Sequence, residues 1–330
     1  MTLVQSKVSK SSAWVFAVSL GFLPGFLLGC KDEPKIDRAA APSSGGTSGV
    51  ASANSVGSAA PSNLINATPL PSAAIAVMLG ADKLPAYTGP TGSIEGTVSV
   101  VGDPPPDAKE QNFAKCPAAA KAYGKLFREG PPVEGGEPGA RGLADALVGV
   151  TGYSGFYVPE RNEAKKVTIE DCALTPRTVD MTFGQRLEIA NKTNLLFAPS
   201  LSGVFSPALM AAPPGGDPVK IYPQRPGYFQ LSDKLGNEFF RGDVYVLLHP
   251  LHTVSGVDGR YRMDGLPLGK VTVFSRLNVI GETAKEIEVL SGVVARVDLT
   301  LKYAPKDAGT PAPAASTPKG DAGKPQNSIH

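Results

Sequence analysis

The chain has 330 residues, 32 Lys and Arg against 30 Asp and Glu, a formal charge of +2 at pH 7, 37 glycines and 31 prolines. Near-neutral charge without a block of one sign argues against a nucleic-acid surface and against a polybasic lipid-binding patch. Once a signal, a linker and a tail are set aside, roughly 210 residues remain for packing, enough for one large or two small β-domains.

Lys7 and Lys10 form a positive segment ahead of an apolar run from Ala13 to Leu28. Gly21, Pro24 and Gly25 interrupt that run, and at about sixteen residues it is short for a helix across a bilayer. It closes on Leu27-Leu28-Gly29-Cys30, which resembles the bacterial lipobox. The resemblance implies that residues 1–29 are a signal peptide and that Cys30, acylated on sulfur, becomes the first residue. The alternative is an ordinary signal anchor with an incidental cysteine. Each buried CH₂ of an acyl chain contributes about 0.8 kcal/mol, so two or three chains anchor stably where one does not. Lys31 is not acidic, which points to the outer membrane or cell surface rather than the inner membrane. The single tryptophan, Trp14, lies in the removed segment. The mature chain then lacks the flat Trp platform that sugar-binding surfaces often use.

Residues 30–90 are dominated by Ala, Ser, Gly and Pro. Such a composition buries too little apolar surface to offset its ordering entropy and predicts a disordered tether. Residues 304–330 have the same character and predict a disordered tail.

Period-two alternation dominates the body. Ile94, Val98 and Val100 share one face of a first strand. Val179, Met181 and Phe183, then Leu187 and Ile189, alternate with polar residues across Gly184. "DVYVLLHP" is a more continuously apolar strand, and Val293, Ala295, Val297, Leu299 and Leu301 alternate near the end. Asp258-Gly259, Asp264-Gly265 and Pro267 to Gly269 are turn signals. Only Pro117 to Phe127 reads as a helix, weakened by Gly124. These patterns predict an all-β fold, an antiparallel β-sandwich. With Cys30 lipidated, Cys116 and Cys172 remain, and an even pair in an oxidising compartment reads as a disulfide.

Two stretches carry family resemblances. "GSIEGTVSV" together with "GVDGRYRMDGLPLGKVTVFSR" resembles the carboxypeptidase regulatory-like (transthyretin-like) sandwich. That pattern has a G-x-V opening strand, a D-G-x-F/Y turn and L-P-x-G before an apolar strand. It is matched here by Gly96 to Val98, Asp258 to Tyr261, and Leu266 to Gly269. Turns between twisted strands favour glycine because it accepts positive φ. The middle, 166–250, is similar to a cupredoxin-like insert of exported bacterial proteins in Cys172, Pro176, Asn191 and a strand ending at His249-Pro250. Counting back from His249-Pro250, Lys234, Asn237 and Phe240 stand where that family has Cys, His and Met, and "NLLFAPS" around Phe197 lacks the other His. A blue-copper site needs two imidazoles and a thiolate, so the expected cofactor and metal are none. The body then divides into 91–165, the cupredoxin-like 166–250 and the regulatory-like 251–303, as separate or nested sandwiches.

No Gly-x-Ser-x-Gly elbow, paired metal-ligand motif or phosphate loop is present in the sequence. Glu160, Asp171, Asp180, Glu188, Glu238 and Asp243 are spread along alternating strands and read as a solvated face. His249 and His252 read as a surface pair at a strand end and turn, structural or solvated rather than metal-ligating. Tyr222, Tyr228, Tyr245 and Tyr261 read as filling or rimming the core. The expected function is a non-catalytic cell-envelope lipoprotein that binds an envelope protein or glycan and no nucleic acid, with membrane contact through its lipid. The alternative is a copper-binding or electron-transfer protein; a carboxylate-based hydrolase is a third class.

The anchor makes a direct prediction. Cys30→Ser should move the protein from the membrane to the soluble fraction and abolish incorporation of labelled fatty acid. A variant that still takes up label would place the lipid elsewhere.

Overall fold

The computed structural model describes residues 67–108, 112–204 and 209–305. The segment expected to be a signal peptide, Cys30, most of the expected tether and nearly all of the expected tail lie outside the described residues. The first described element is helix α1 (Ser72–Leu79), followed by strand β1 (Thr91–Gly102). A 3-10 turn at Pro117–Ala119 runs into the one-turn helix α2 (Ala120–Tyr123). Strands β2 (Glu129–Pro132), β3 (Arg141–Leu143) and β4 (Leu147–Thr151) complete a first group.

The chain next builds β5 (Ala164–Glu170), β6 (Ala173–Thr175), β7 (Thr178–Thr182) and β8 (Arg186–Asn191). It continues with β9 (Pro199–Leu201), β10 (Val219–Ile221), β11 (Gly227–Asp233) and β12 (Arg241–Leu247). The return passage comprises β13 (His252–Val254), β14 (Arg260–Pro267) and β15 (Gly269–Leu277). It ends with β16 (Gly281–Val289), β17 (Val294–Arg296) and β18 (Leu299–Tyr303).

Two sandwiches result. In one, the sheet β14-β1-β3-β2, with β17 and β18 along the other side of β1, shares a core with the sheet β13-β4-β15-β16. Ile94, Val98 and Val100 from β1 pack there with Val148 and Val150 from β4 and Val271 and Val273 from β15. In the other, β10-β8-β5-β6 and β7-β12-β11-β9 enclose Val179, Met181, Leu187, Ile189, Phe229 and Val244. Full burial of side chains of this kind contributes about 1.5–3 kcal/mol each. In β8 the alternation read from the sequence is the alternation of burial, but in β7 all five residues are buried, Asp180 and Thr182 included. Pairing is mostly antiparallel, but β1–β17, β1–β18, β5–β8 and β7–β12 are parallel.

Several local expectations change. The segment read as tether is folded from Ala67 onward: Leu70, Ile75 and Leu79 pack against the second core, and α1 ends on Gly80 at φ +75°. Three clustered apolar side chains within an Ala/Ser-rich stretch supply a local contact that average composition conceals. The helix expected over Pro117–Phe127 stops at Tyr123, where Arg177 donates to the Ala122 and Leu126 carbonyls, 3.1 Å each. The strand expected through Val293 to Leu301 breaks at Val297-Asp298, where Val297 N–H donates to the Glu95 carbonyl and Asp298 accepts from Thr97 N–H. Val293, in the turn before β17, is 48% exposed instead of facing inward.

Gly96 acts by close approach rather than by turning. A Cβ there would collide with the Val297 carbonyl, so the glycine lets that break press against β1. Gly259, at φ +80°, does serve a turn.

Cys116 and Cys172 form a disulfide across 56 residues with Cα atoms 6.4 Å apart. It ties the connection ahead of α2 to the β5–β6 turn of the second sandwich. Replacing both cysteines with Ala should lower unfolding stability by about 2–4 kcal/mol, since closing a loop of this length restricts the unfolded chain. An unchanged denaturation midpoint would show that the bridge imposes no such restriction.

Candidate functional site

The outward face of β14, β1 and β17 carries a groove of about 1110 Å³. In the strand register Glu95 lies opposite Arg262 on β14 and opposite Arg296 on β17. Arg262 bonds Glu95 at 3.1 Å and Asp264 at 3.0 Å, and Arg296 bonds Asp298 at 3.0 Å. The groove floor includes Gly96 and Thr97, and one wall is Pro131 to Glu134 at the end of β2. Tyr261 turns its ring into the core and donates its hydroxyl to the Val297 carbonyl at 2.6 Å; burial raises its pKa. Hydrogen bonds from Ser93, then from Arg262, hold the Asp264 carboxyl below its ordinary range.

These ion pairs are solvent-exposed, so their worth lies less in stability than in fixing the planar groups in place. What they present is an array of guanidinium donors and carboxylate acceptors, suited to hydrogen-bonding a polar ligand. Asp258 to Tyr261, the turn motif of the regulatory-like resemblance, lies on its rim. That signal was present in the sequence; the contribution of Pro131 to Glu134 was not marked by any motif.

The three positions aligned with copper ligands are engaged in packing or solvent. Lys234 is exposed and its N–H donates to the Ala198 carbonyl at 3.0 Å. Asn237 is buried and donates through Nδ2 to the Leu196 carbonyl at 3.2 Å and to Asp233 Oδ2 at 3.0 Å. Phe240 is buried with its ring 5.0 Å from that of Phe197. None of Lys234, Asn237, Phe240 or Phe197 offers an imidazole or a thiolate. Among the described residues, no three His, Cys, Asp or Glu side chains are grouped to hold a metal ion.

Two of the carboxylates depart from the solvated role expected of them, and of the two readings open for the histidine pair His252 takes the structural one. Asp180 is 3% exposed and lies between Lys165, which donates to Oδ1, and His252, whose Nδ1 is 2.7 Å from Oδ2. The other ring nitrogen of His252 is 3.1 Å from Thr182 Oγ1, which donates to Glu160 Oε2 at 2.6 Å. Asp180 and Thr182 belong to β7 of the second sandwich and His252 to β13 of the first, so this polar chain crosses between them. Burial opposes ionisation of Asp180, but His252 and Lys165 outweigh it and lower its pKa. His249 has a buried Nδ1 without a hydrogen-bond partner in the described structure. Burial, with repulsion from His252, depresses its pKa to about 4. Nothing in the sequence paired Asp180 with His252, because the contact spans two sheets.

No protein-family model matches the chain, and no curated protein sequence does. Among solved structures the chain has weak similarity to amicyanins over a small part of its length. Amicyanin from Paracoccus versutus (Thiobacillus versutus) is 16% identical over 26% of this chain and 84% of its own, with a TM-score of 0.23. A reduced amicyanin mutant is 17% identical over 26% of this chain and 85% of its own, also at 0.23.

The buried His249 sets a pH dependence. Its folded pKa of about 4 lies below the ordinary 6.5, so the unfolded chain takes up a proton that the folded chain refuses. The His249 contribution to stability should be full above pH 6.5 and fall toward pH 4, by on the order of 2–3 kcal/mol in all. Denaturant titrations across that window should show the slope, and His249→Gln should flatten it; an equal slope in the variant would assign the dependence to other groups.

Proposed function

We propose that this chain is a non-catalytic, lipid-anchored binding module of the bacterial cell envelope. The groove on the outward face of β14, β1 and β17 is its contact surface for an envelope protein or glycan. The observation that carries the reading is the groove itself: about 1110 Å³ of concave surface lined by oriented arginines and carboxylates. Sites that select ligands combine concavity with a few fixed polar groups, and this one has both. The lipobox-like Leu27 to Cys30 supports placement at a membrane.

A flexible chain between anchor and body would let the groove search, since coil dimensions grow as about 5–6 Å times the square root of residue number. The folding of α1 onto the second sandwich shortens that leash at its body end.

The test is retention of the protein, produced with Cys30→Ser so that lipid plays no part, on purified envelope fractions. Thr97→Trp places a bulky ring in the groove from an outward-facing position without touching either core. Retention should fall at least tenfold in that variant while its denaturation midpoint stays unchanged. Equal retention of both forms would remove the groove from the interaction, and absence of retention in either would overturn the binding role.

A further inference from the structure

The polar chain between the sandwiches has an assignable direction of donation. Asp180 is an ionised acceptor, and one of its oxygens already takes a proton from Lys165. Its other oxygen, 2.7 Å from His252 Nδ1, therefore receives an N–H. Thr182 has one hydroxyl proton, whose acceptors are Glu160 Oε2 at 2.6 Å and the His249 carbonyl at 3.5 Å. Its oxygen then has only lone pairs to offer His252 Nε2 at 3.1 Å, so that nitrogen must also donate. A neutral imidazole can donate through one nitrogen only. It would force the Thr182 hydroxyl to turn away from Glu160.

We propose that His252 is held as an imidazolium whose two N–H groups latch the first sandwich to the second, and that loss of one proton loosens the latch. The latch is independent of whatever occupies the groove. The ionisable groups around it come from every neighbouring element: Asp180 on β7, Lys165 on β5, Glu160 and Tyr153 on the connection between β4 and β5, and His249 in the turn before β13. Two negative partners, Asp180 directly and Glu160 through Thr182, favour the cation. Lys165 opposes it but is itself spent on Asp180. His252 side-chain exposure is 6%, so water competes poorly for either N–H.

Protonation thereby controls a junction and not a core. Deprotonation leaves Nε2 and Thr182 Oγ1 facing each other with lone pairs only, until the hydroxyl abandons Glu160. β7 and β13 should then separate more readily while both sandwich cores stay intact. The arrangement of an oxygen, an imidazole and a carboxylate resembles a nucleophile relay, but Thr182 is 1% exposed and no substrate could reach it.

The experiment is side-chain ¹⁵N spectroscopy of the full chain at pH 7, combined with amide hydrogen exchange. Both His252 nitrogens should resonate as protonated. His252→Gln should speed exchange of amides in β7 and β13 at least tenfold, with β1 and β11 unchanged. Should His252→Gln fail to fold, Thr182→Val keeps the Asp180 contact but removes the acceptor of the second N–H, and should likewise speed exchange in β7 and β13. A nitrogen found unprotonated at pH 7, or unchanged exchange in folded His252→Gln or in Thr182→Val, would each overturn the latch.

Discussion

The pairing of β4 with β13 is the constraint on which the architecture depends. His252 lies opposite Gly149 and Val254 opposite Leu147. The strand by which the chain leaves the first sandwich is thus hydrogen-bonded to the strand by which it returns. With those ends adjacent, about a hundred residues can form a complete second sandwich at little cost to the first, because loop-closure entropy grows only slowly with length. The first core then closes from strands far apart in sequence: Ile94 and Val98 of β1 meet Val271 and Val273 of β15 and Leu299 of β18.

The same geometry accounts for what lies between the sandwiches. The β4–β13 pair sits beside β7, so His252 enters a space lined by Asp180 and Thr182. An ionised carboxylate there would be destabilising alone; flanked by Lys165 and an imidazole it is tolerated, and breaking either partner leaves an uncompensated charge. Arg177 joins the turn before β7 to the Ala122 and Leu126 carbonyls around the end of α2, and the Cys116–Cys172 bridge fastens the same segment, whose Ala119 and Tyr123 pack in the second core. Hydrogen bonds among Asp180, Thr182 and His252 cross between the halves, whereas apolar packing holds each half internally and the Cys116–Cys172 bridge lies within the second.

The groove depends on strand β1 changing partners along its length. Thr91 to Thr97 pair with β14, and Ser99 and Val100 pair with β3. At the point of change the turn at Asp258-Gly259 presses against β3, an approach that Gly142 permits because a Cβ there would strike the Asp258 carbonyl. Beside that point the end of β2 and the outward face of β1 border a hollow lined by Pro131 to Glu134 on one side and Glu95, Arg262 and Arg296 on the other. Exposed charge on an outward sheet face is ordinary.

Local physics made the strands, the turn glycines, the short helix and the even cysteine pair legible in the sequence, because each is decided by neighbours a few residues away. Ile94, Val98 and Val100, or Leu187 and Ile189, show their buried face by period two alone. The sequence also determined that Lys234, Asn237 and Phe240 bring no copper-binding atoms of the required kind, since side-chain chemistry needs no coordinates. Only the tertiary structure decided that Asp180, His252 and Glu160 form one buried chain, that His249 is shielded, and that Leu70, Ile75 and Leu79 fasten part of the tether. Those outcomes rest on contacts between segments tens of residues apart, where burial and pairing are set by how sheets stack and not by the residues beside them in the chain.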